Sequence, residues 1–275
     1  MNMSRLRMVS AMVAAVSSIA MPSEARLPVR GLCAHRGDQA AYPENTVPAF
    51  RSAAQKGAAM VEFDVVRCFT GELVIMHDAT VDRTTDGKGK VSDLTFKELR
   101  ALDAGVKKDS KFKGTKIPTL EEAIDSIPKD GIWMNVHCRD DVAADAARML
   151  KAKGRLHQAF IAVTTRGGRA AREAVPNVKL CVFLDPPNSW TNPWPNATIR
   201  ACVDNAIRER AEFIQPHYAM TNPEAYRVFH DYGGRINYFW CNNAEELPKL
   251  DAIGVDFPLT DGIDALLPHW PTKFD

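Results

Sequence analysis

The chain has no long basic block, no CxxC pair and, beyond its first 25 residues, no apolar run able to cross a bilayer. Each absence removes a class of function. Nucleic-acid binding requires many phosphates to be neutralised at once, and 35 basic residues scattered among 34 acidic ones supply no such surface. The six cysteines at positions 33, 68, 138, 181, 202 and 241 show no spacing of a bridged framework. Most lie within apolar runs such as "GLCAH" and "KLCVFL", which suits small buried hydrophobes better than bridges, so no particular bridge is assigned. With 45% hydrophobic and 25% charged residues, the composition is that of an ordinary globular protein, long enough to bury a full core.

The N-terminus is a separate object. Arg5 and Arg7 precede "MVSAMVAAVSSIAM", and "PSEA" sets Ser23 and Ala25 at small-residue positions suited to cleavage after Ala25. Residues 1–25 read as a secretory signal peptide, the apolar run being shorter than the ~20 residues of a membrane helix. A periplasmic or secreted protein is therefore expected, whose mature part, 26–275, has no stable membrane span. Removing Arg5, Arg7 and Glu24 takes two basic residues from 35 and one acidic residue from 34, which leaves that part neutral.

From residue 31 onward, short apolar runs alternate with longer amphipathic ones, as in repeated strand–helix units on a parallel sheet. The strands expected are "GLCAH", "AMVEFDVV", "ELVIMH", "GIWMNVH", "QAFIAVT", "VKLCVFL", "AEFIQP" and "RINYFW". Helices are expected over 47–56, 120–127, 141–153, 166–174, 197–210, 223–231 and 244–251, several opened by Thr, Asp or Asn. Eight strands in this length suit a (β/α)₈ barrel, and a doubly wound open sheet fits the same alternation. Residues 78–118, with the polar tracts "TTDGKGK" and "KKDSKFKGTK", form an insertion after the third strand.

Strand ends carry the chemistry-bearing residues. The first ends in His35-Arg36-Gly37, the second carries Glu62 and Asp64, the third ends in His77-Asp78, and the fourth in His137 and Arg139. Glu62 and Asp64, one residue apart on a strand, share a face, and two such acids repel unless a cation lies between them. The plainer alternative is a strand edge at which one acid meets solvent or an arginine. The imidazoles of His35 and His77 could serve as proton acceptor and donor, or could be packed at their strand ends. Arg36 offers a guanidinium fork to phosphate oxygens. In "YPENT", Asn45 or Thr46 is expected to cap the helix at 47–56, while Glu44 could orient the histidines or an ion.

Together, "AHRGDQAAYPENTVPAF", "VEFDV" and "LVIMHDATVDRTTDGKGKVSDLTFKEL" resemble the glycerophosphodiester phosphodiesterase family in order and spacing. "INYFWCNNAEEL" is similar to that family's last strand, and "IGVDFPLTD" to its closing Gly-Val-Asp and Thr-Asp elements. The resemblance implies a (β/α)₈ TIM barrel that hydrolyses small-molecule glycerophosphodiesters with one divalent metal ion, Ca²⁺ or Mg²⁺. It implies His35 and His77 as the acid/base pair, Glu62 and Asp64 as metal ligands, Arg36 as a phosphate contact and Trp240 as a wall of the substrate pocket.

The departure falls in "GIWMNVHCRDD". The family's fourth strand commonly ends in a glutamate ligand followed, two residues on, by a phosphate-binding lysine. Here His137 stands in the glutamate's place and Arg139 in the lysine's. An imidazole beside two carboxylates suits Zn²⁺, Mn²⁺ or Fe²⁺ better than an all-oxygen site does. The expected metal set is Glu62, Asp64 and His137. Two further readings stay open: a phospholipase D-like lyase forming a cyclic phosphate, for which Trp190 and Trp194 in "DPPNSWTNPWPN" offer an apolar contact, and a non-catalytic phosphodiester-binding protein.

Overall fold

Side-chain alternation organises the sheet. The computed structural model describes residues 26–184, 196–218 and 220–274. Its strands are β1 (Cys33–Ala34), β2 (Met60–Arg67), β3 (Leu73–Ile75), β4 (Trp133–Cys138), β5 (Ala159–Val163), β6 (Lys179–Phe183), β7 (Phe213–Gln215), β8 (Arg235–Tyr238) and β9 (Phe257–Thr260). The helices are α1 (Val47–Lys56), α2 (Phe96–Ala101), α3 (Leu120–Ser126), α4 (Ala143–Ala152), α5 (Thr165–Ala174), α6 (Asn196–Arg208), α7 (Pro223–Asp231), α8 (Leu247–Ala252) and α9 (Ile263–Leu266).

Strands β1, β2, β4, β5, β6, β7, β8 and β9 pair in parallel in that order, and β9 returns to β1. The ring is closed, so the architecture is a (β/α)₈ barrel rather than an open sheet. Along β2, Met60 packs inside the barrel with Trp133, Phe160, Phe213 and Phe257. Val61, Phe63 and Val65 face outward, against apolar residues of the surrounding helices such as Phe50, Ala123 and Ala146.

Two strand assignments are corrected. The run at 72–77 yields β3, which is antiparallel to β2 and is not a stave of the barrel. Because β1 pairs with β2 only at Met60 and Val61, the upper edge of β2 is left open, and Val65, Val66 and Arg67 take β3 as partner there. The eighth stave is β9, from "FPLT", whose short length and proline hide it from a periodicity argument.

The insertion has its own small core, in which Val74, Met76, Val81, Val91, Leu99 and Ile117 are buried together. A capping box between Thr95 and Glu98 starts α2. The insertion is tied to the barrel rim where Lys108 Nζ donates to the carbonyls of Gln39 and Ala40 at 2.7 and 2.9 Å. None of the six cysteines forms a disulfide. The expected leader, residues 1–25, and the tryptophans at 190 and 194 lie outside the described residues.

Candidate active site

The chain leaves β1 through a tight turn in which Arg36 and Gly37 both have positive φ, 55° and 77°. A Cβ on Gly37 would lie 2.8 Å from the backbone of Ala49, so the turn needs glycine. Its result is that Arg36 N–H donates to Glu62 Oε2 at 2.8 Å. On Asp64 the same job is done by Asn45, whose Nδ2 donates to Oδ2 at 2.8 Å and whose Oδ1 accepts the Asp64 N–H at 3.2 Å. Asn45 is therefore not the helix cap that its position suggests. Thr46 occupies the N-cap of α1, but its hydroxyl turns back to the Pro43 carbonyl and makes no capping bond.

With those oxygens fixed, Glu62 Oε1 and Asp64 Oδ1 are left facing β4. Register aligns Asp64 with His137, and His137 Nδ1 lies 3.0 Å from Asp64 Oδ1 and 3.5 Å from Glu62 Oε1. One donor atom from each of the three residues falls within 4.8 Å of the others. Two nearly buried carboxylates and a half-buried imidazole, each with one atom turned inward, fit a single divalent cation. Burial opposes charge on His137, but Asp64 and Glu62 outweigh it and raise its pKa; a cation held between the three would displace that proton from Nδ1. Burial likewise opposes charge on Asp64, and the His137 contact overrides it to hold that carboxyl well below the usual range.

His35 and His77 line the same cavity of about 310 Å³, together with Arg36, Glu62, Asp64, His137, Phe183, Leu184, Gln215, His217, Phe239 and Leu259. Each imidazole has its Nδ1 against a carboxylate. For His35 this is Asp261 Oδ1 at 2.6 Å, an oxygen to which Gln39 Nε2 also donates; for His77 it is Asp78 Oδ1 at 2.7 Å. Burial raises the Asp261 pKa, but hydrogen bonds from His35 and Asn242 bring it below the usual carboxylate range. Arg83 beside Asp78, and then His77, lower that carboxyl to about 2. With Nδ1 donating to an ionised carboxylate, each ring keeps Nε2 for proton exchange.

A model of the glycerophosphoryl diester phosphodiesterase family matches residues 35–265. The chain belongs to that family. A glycerophosphodiester phosphodiesterase of Caldanaerobacter subterraneus is 30% identical over 241 residues, covering 85% of this chain and 95% of its own. Among solved structures, an Oleispira antarctica phosphodiesterase in complex with the product sn-glycerol-3-phosphate superposes with a TM-score of 0.75 at 23% identity, covering 88% and 96% of the two chains. A Thermotoga maritima glycerophosphodiester phosphodiesterase gives 0.67 at 24% identity, covering 86% and 96%. At these identities the solved structures speak for the fold. Family membership makes the chain a phosphoric diester hydrolase.

Within the family member's cavity, the expected residues divide. His35, Arg36, Glu62, Asp64, His77 and His137 are brought together. Glu44 sits one step back, bound to Arg36 Nη1 at 2.9 Å and to Arg83. Trp240 is partly buried beside Tyr218 and His217, with ring centroids 5.3 and 6.4 Å away, and is not among the lining residues. Neither is Arg139, which is exposed and follows the end of β4 at Cys138. Sequence reasoning missed Asn45, Asp261, Arg83, Gln215 and His217. Asp261 lay in the quoted Thr-Asp element and Arg83 in "DRTT", but a partner more than two hundred residues away, as Asp261 is to His35, leaves no local signal.

Proposed function

We propose that the chain hydrolyses glycerophosphodiesters to glycerol 3-phosphate and an alcohol, with His35 and His77 as the proton-transferring pair and one divalent ion held by Glu62, Asp64 and His137. The observation that carries this reading is the convergence of two carboxylate-oriented imidazoles and a three-donor set in one cavity. The family match supports the reaction class, and the Oleispira antarctica neighbour holds sn-glycerol-3-phosphate as product.

The bound ion supplies charge for the phosphoryl oxygens and orients the nucleophile. The chain's residues do the rest. Nε2 of one histidine takes the proton from an attacking water as its oxygen bonds to phosphorus. Nε2 of the other gives a proton to the alkoxide oxygen as the phosphorus–oxygen bond to the alcohol breaks, and a second proton exchange restores both rings. Arg36, a residue of the cavity lining whose backbone already grips Glu62, neutralises phosphate charge with a guanidinium that Glu44 holds beside Asp64. The ion is Ca²⁺ or Mg²⁺ by family resemblance, while the nitrogen of His137 favours Zn²⁺, Mn²⁺ or Fe²⁺. An exported location follows from the leader at 1–25, and N-terminal sequencing of the mature protein for a start at Arg26 tests it.

The activity is tested by following glycerophosphocholine by ³¹P NMR with each ion added in turn to chelator-treated enzyme. Glycerol 3-phosphate as end product is expected. A persistent cyclic phosphate would make the neighbouring glycerol hydroxyl the nucleophile, and binding without product in every ion would overturn the enzymatic reading.

A further inference from the structure

Arg83 stands outside every role assigned so far, yet it joins the two sides of the site. Its Nε and Nη2 donate to Asp78 Oδ2 and Oδ1 at 2.7 and 3.0 Å. Its Nη1 and Nη2 donate to Glu44 Oε2 and Oε1 at 2.6 and 2.9 Å. One guanidinium therefore holds two carboxylates in fork geometry, an arrangement that a lysine cannot reproduce. Beyond Asp78 lies His77 Nδ1, and beyond Glu44 lie Arg36 Nη1 and, through the Arg36 backbone, Glu62. A chain of contacts runs from His77, through Asp78 and Arg83 of the insertion, to Glu44, Arg36 and Glu62 on the barrel side.

We infer that Arg83 is a positioning residue that sets His77 for proton transfer by locking Asp78 against Glu44, so that the insertion and the barrel wall share one charged clamp. This rests on the proposed role of His77. The need for such a clamp is physical: the His77 side chain is 41% exposed, and its Nδ1 is paired with Asp78, which therefore bears on its ring orientation. Asp78 in turn has Arg83 as its principal partner. The clamp is charged throughout, because Asp78 and Glu44 hold Arg83 protonated and both acids lie below the usual carboxylate range. A displacement of about 1 Å at a proton-transferring group costs roughly 10²-fold in rate.

The test compares Arg83→Gln and Arg83→Lys with the parent in kcat, KM, melting temperature and side-chain ¹⁵N spectra of His77. In Arg83→Gln, kcat is expected to fall roughly 10–100-fold with KM within about threefold and the melting temperature within a few degrees; Arg83→Lys should lie between the two. The His77 spectrum should change from a single Nδ1–H form to a mixture. Recovery of turnover in an Arg83→Ala variant by added guanidinium would support the clamp, since a general loss of structure is not repaired that way. An unchanged kcat and an unchanged His77 spectrum would overturn the inference, as would a loss that tracks a lowered melting temperature and is equal in the Lys variant. Should the parent show no phosphodiesterase activity, the proposed reaction fails, while the ¹⁵N spectra still decide whether Arg83 orients His77.

Discussion

His35 and His77 meet the same cavity from unlike surroundings. His35 follows a barrel stave, is buried, has Asp261 on its Nδ1 with Gln39 donating to the same carboxylate, and meets the Phe239 ring edge-on at 5.5 Å. His77 follows the antiparallel β3, is more exposed than His35 and is fixed by Asp78, itself fixed by Arg83. One imidazole is buried and meets an aromatic ring as well as a carboxylate; the other is more exposed and meets a carboxylate tied to an arginine. The lesson is that the barrel supplies a rigid half-site, and the insertion completes it through ionic contacts sensitive to salt, to pH and to single charge substitutions.

The strongest way to break the comparison is to remove each ring. His35→Ala and His77→Ala should each lower kcat by roughly 10²–10⁴-fold, with similar losses if the two act as an acid/base pair. Steady-state kinetics on a glycerophosphodiester measures this, and near-normal turnover in either variant would remove that residue from the proton path. The melting temperature should separate the two, dropping for His35→Ala, which vacates a buried position, and holding for His77→Ala.

A smaller effect is expected from the third imidazole, which lies between those sides. His137→Glu restores an oxygen donor and adds a negative charge, so the ratio of Ca²⁺ or Mg²⁺ activation to Zn²⁺ or Mn²⁺ activation should rise, on the order of tenfold. Titration of chelator-treated protein with each ion checks it, and an unchanged ratio would make His137 a structural partner of Asp64 alone.

How much of this was legible beforehand follows the same division between local and distant. Glu62 and Asp64 could be paired from a two-residue spacing because strand alternation is a local rule. His35, Arg36, His77 and His137 were legible as strand ends, and their quoted motifs carried the family. The barrel's closure was not, since β3 and β9 are three and four residues long and their partners are fixed by which edges β1 leaves free. Asn45 resembled a helix cap because its neighbours in sequence say so, whereas its hydrogen bonds go to Asp64, nineteen residues away. Arg139 took its expected role from the resemblance, in the place of a lysine, and it follows β4, which ends at Cys138.

The smallest expected effect concerns Asp78 itself and tests whether the charged half-site contributes to stability at all. Its pKa in the folded protein is about 2, chiefly because of Arg83, below the ~3.9 of an unfolded aspartate. A depressed carboxylate stabilises the fold at pH values above its unfolded pKa, and that contribution disappears as pH falls through the folded one. For a partly exposed group screened by solvent it amounts to about 1 kcal/mol. Denaturant unfolding of the parent and of Asp78→Asn should therefore differ by that amount at pH 6, converge between pH ~4 and ~2, and converge again at pH 6 in ~1 M salt. A difference that survived both acid and salt would mean that Asp78 is held by contacts other than charge, and the contrast between the packed and the ionic half of the site would lose its basis.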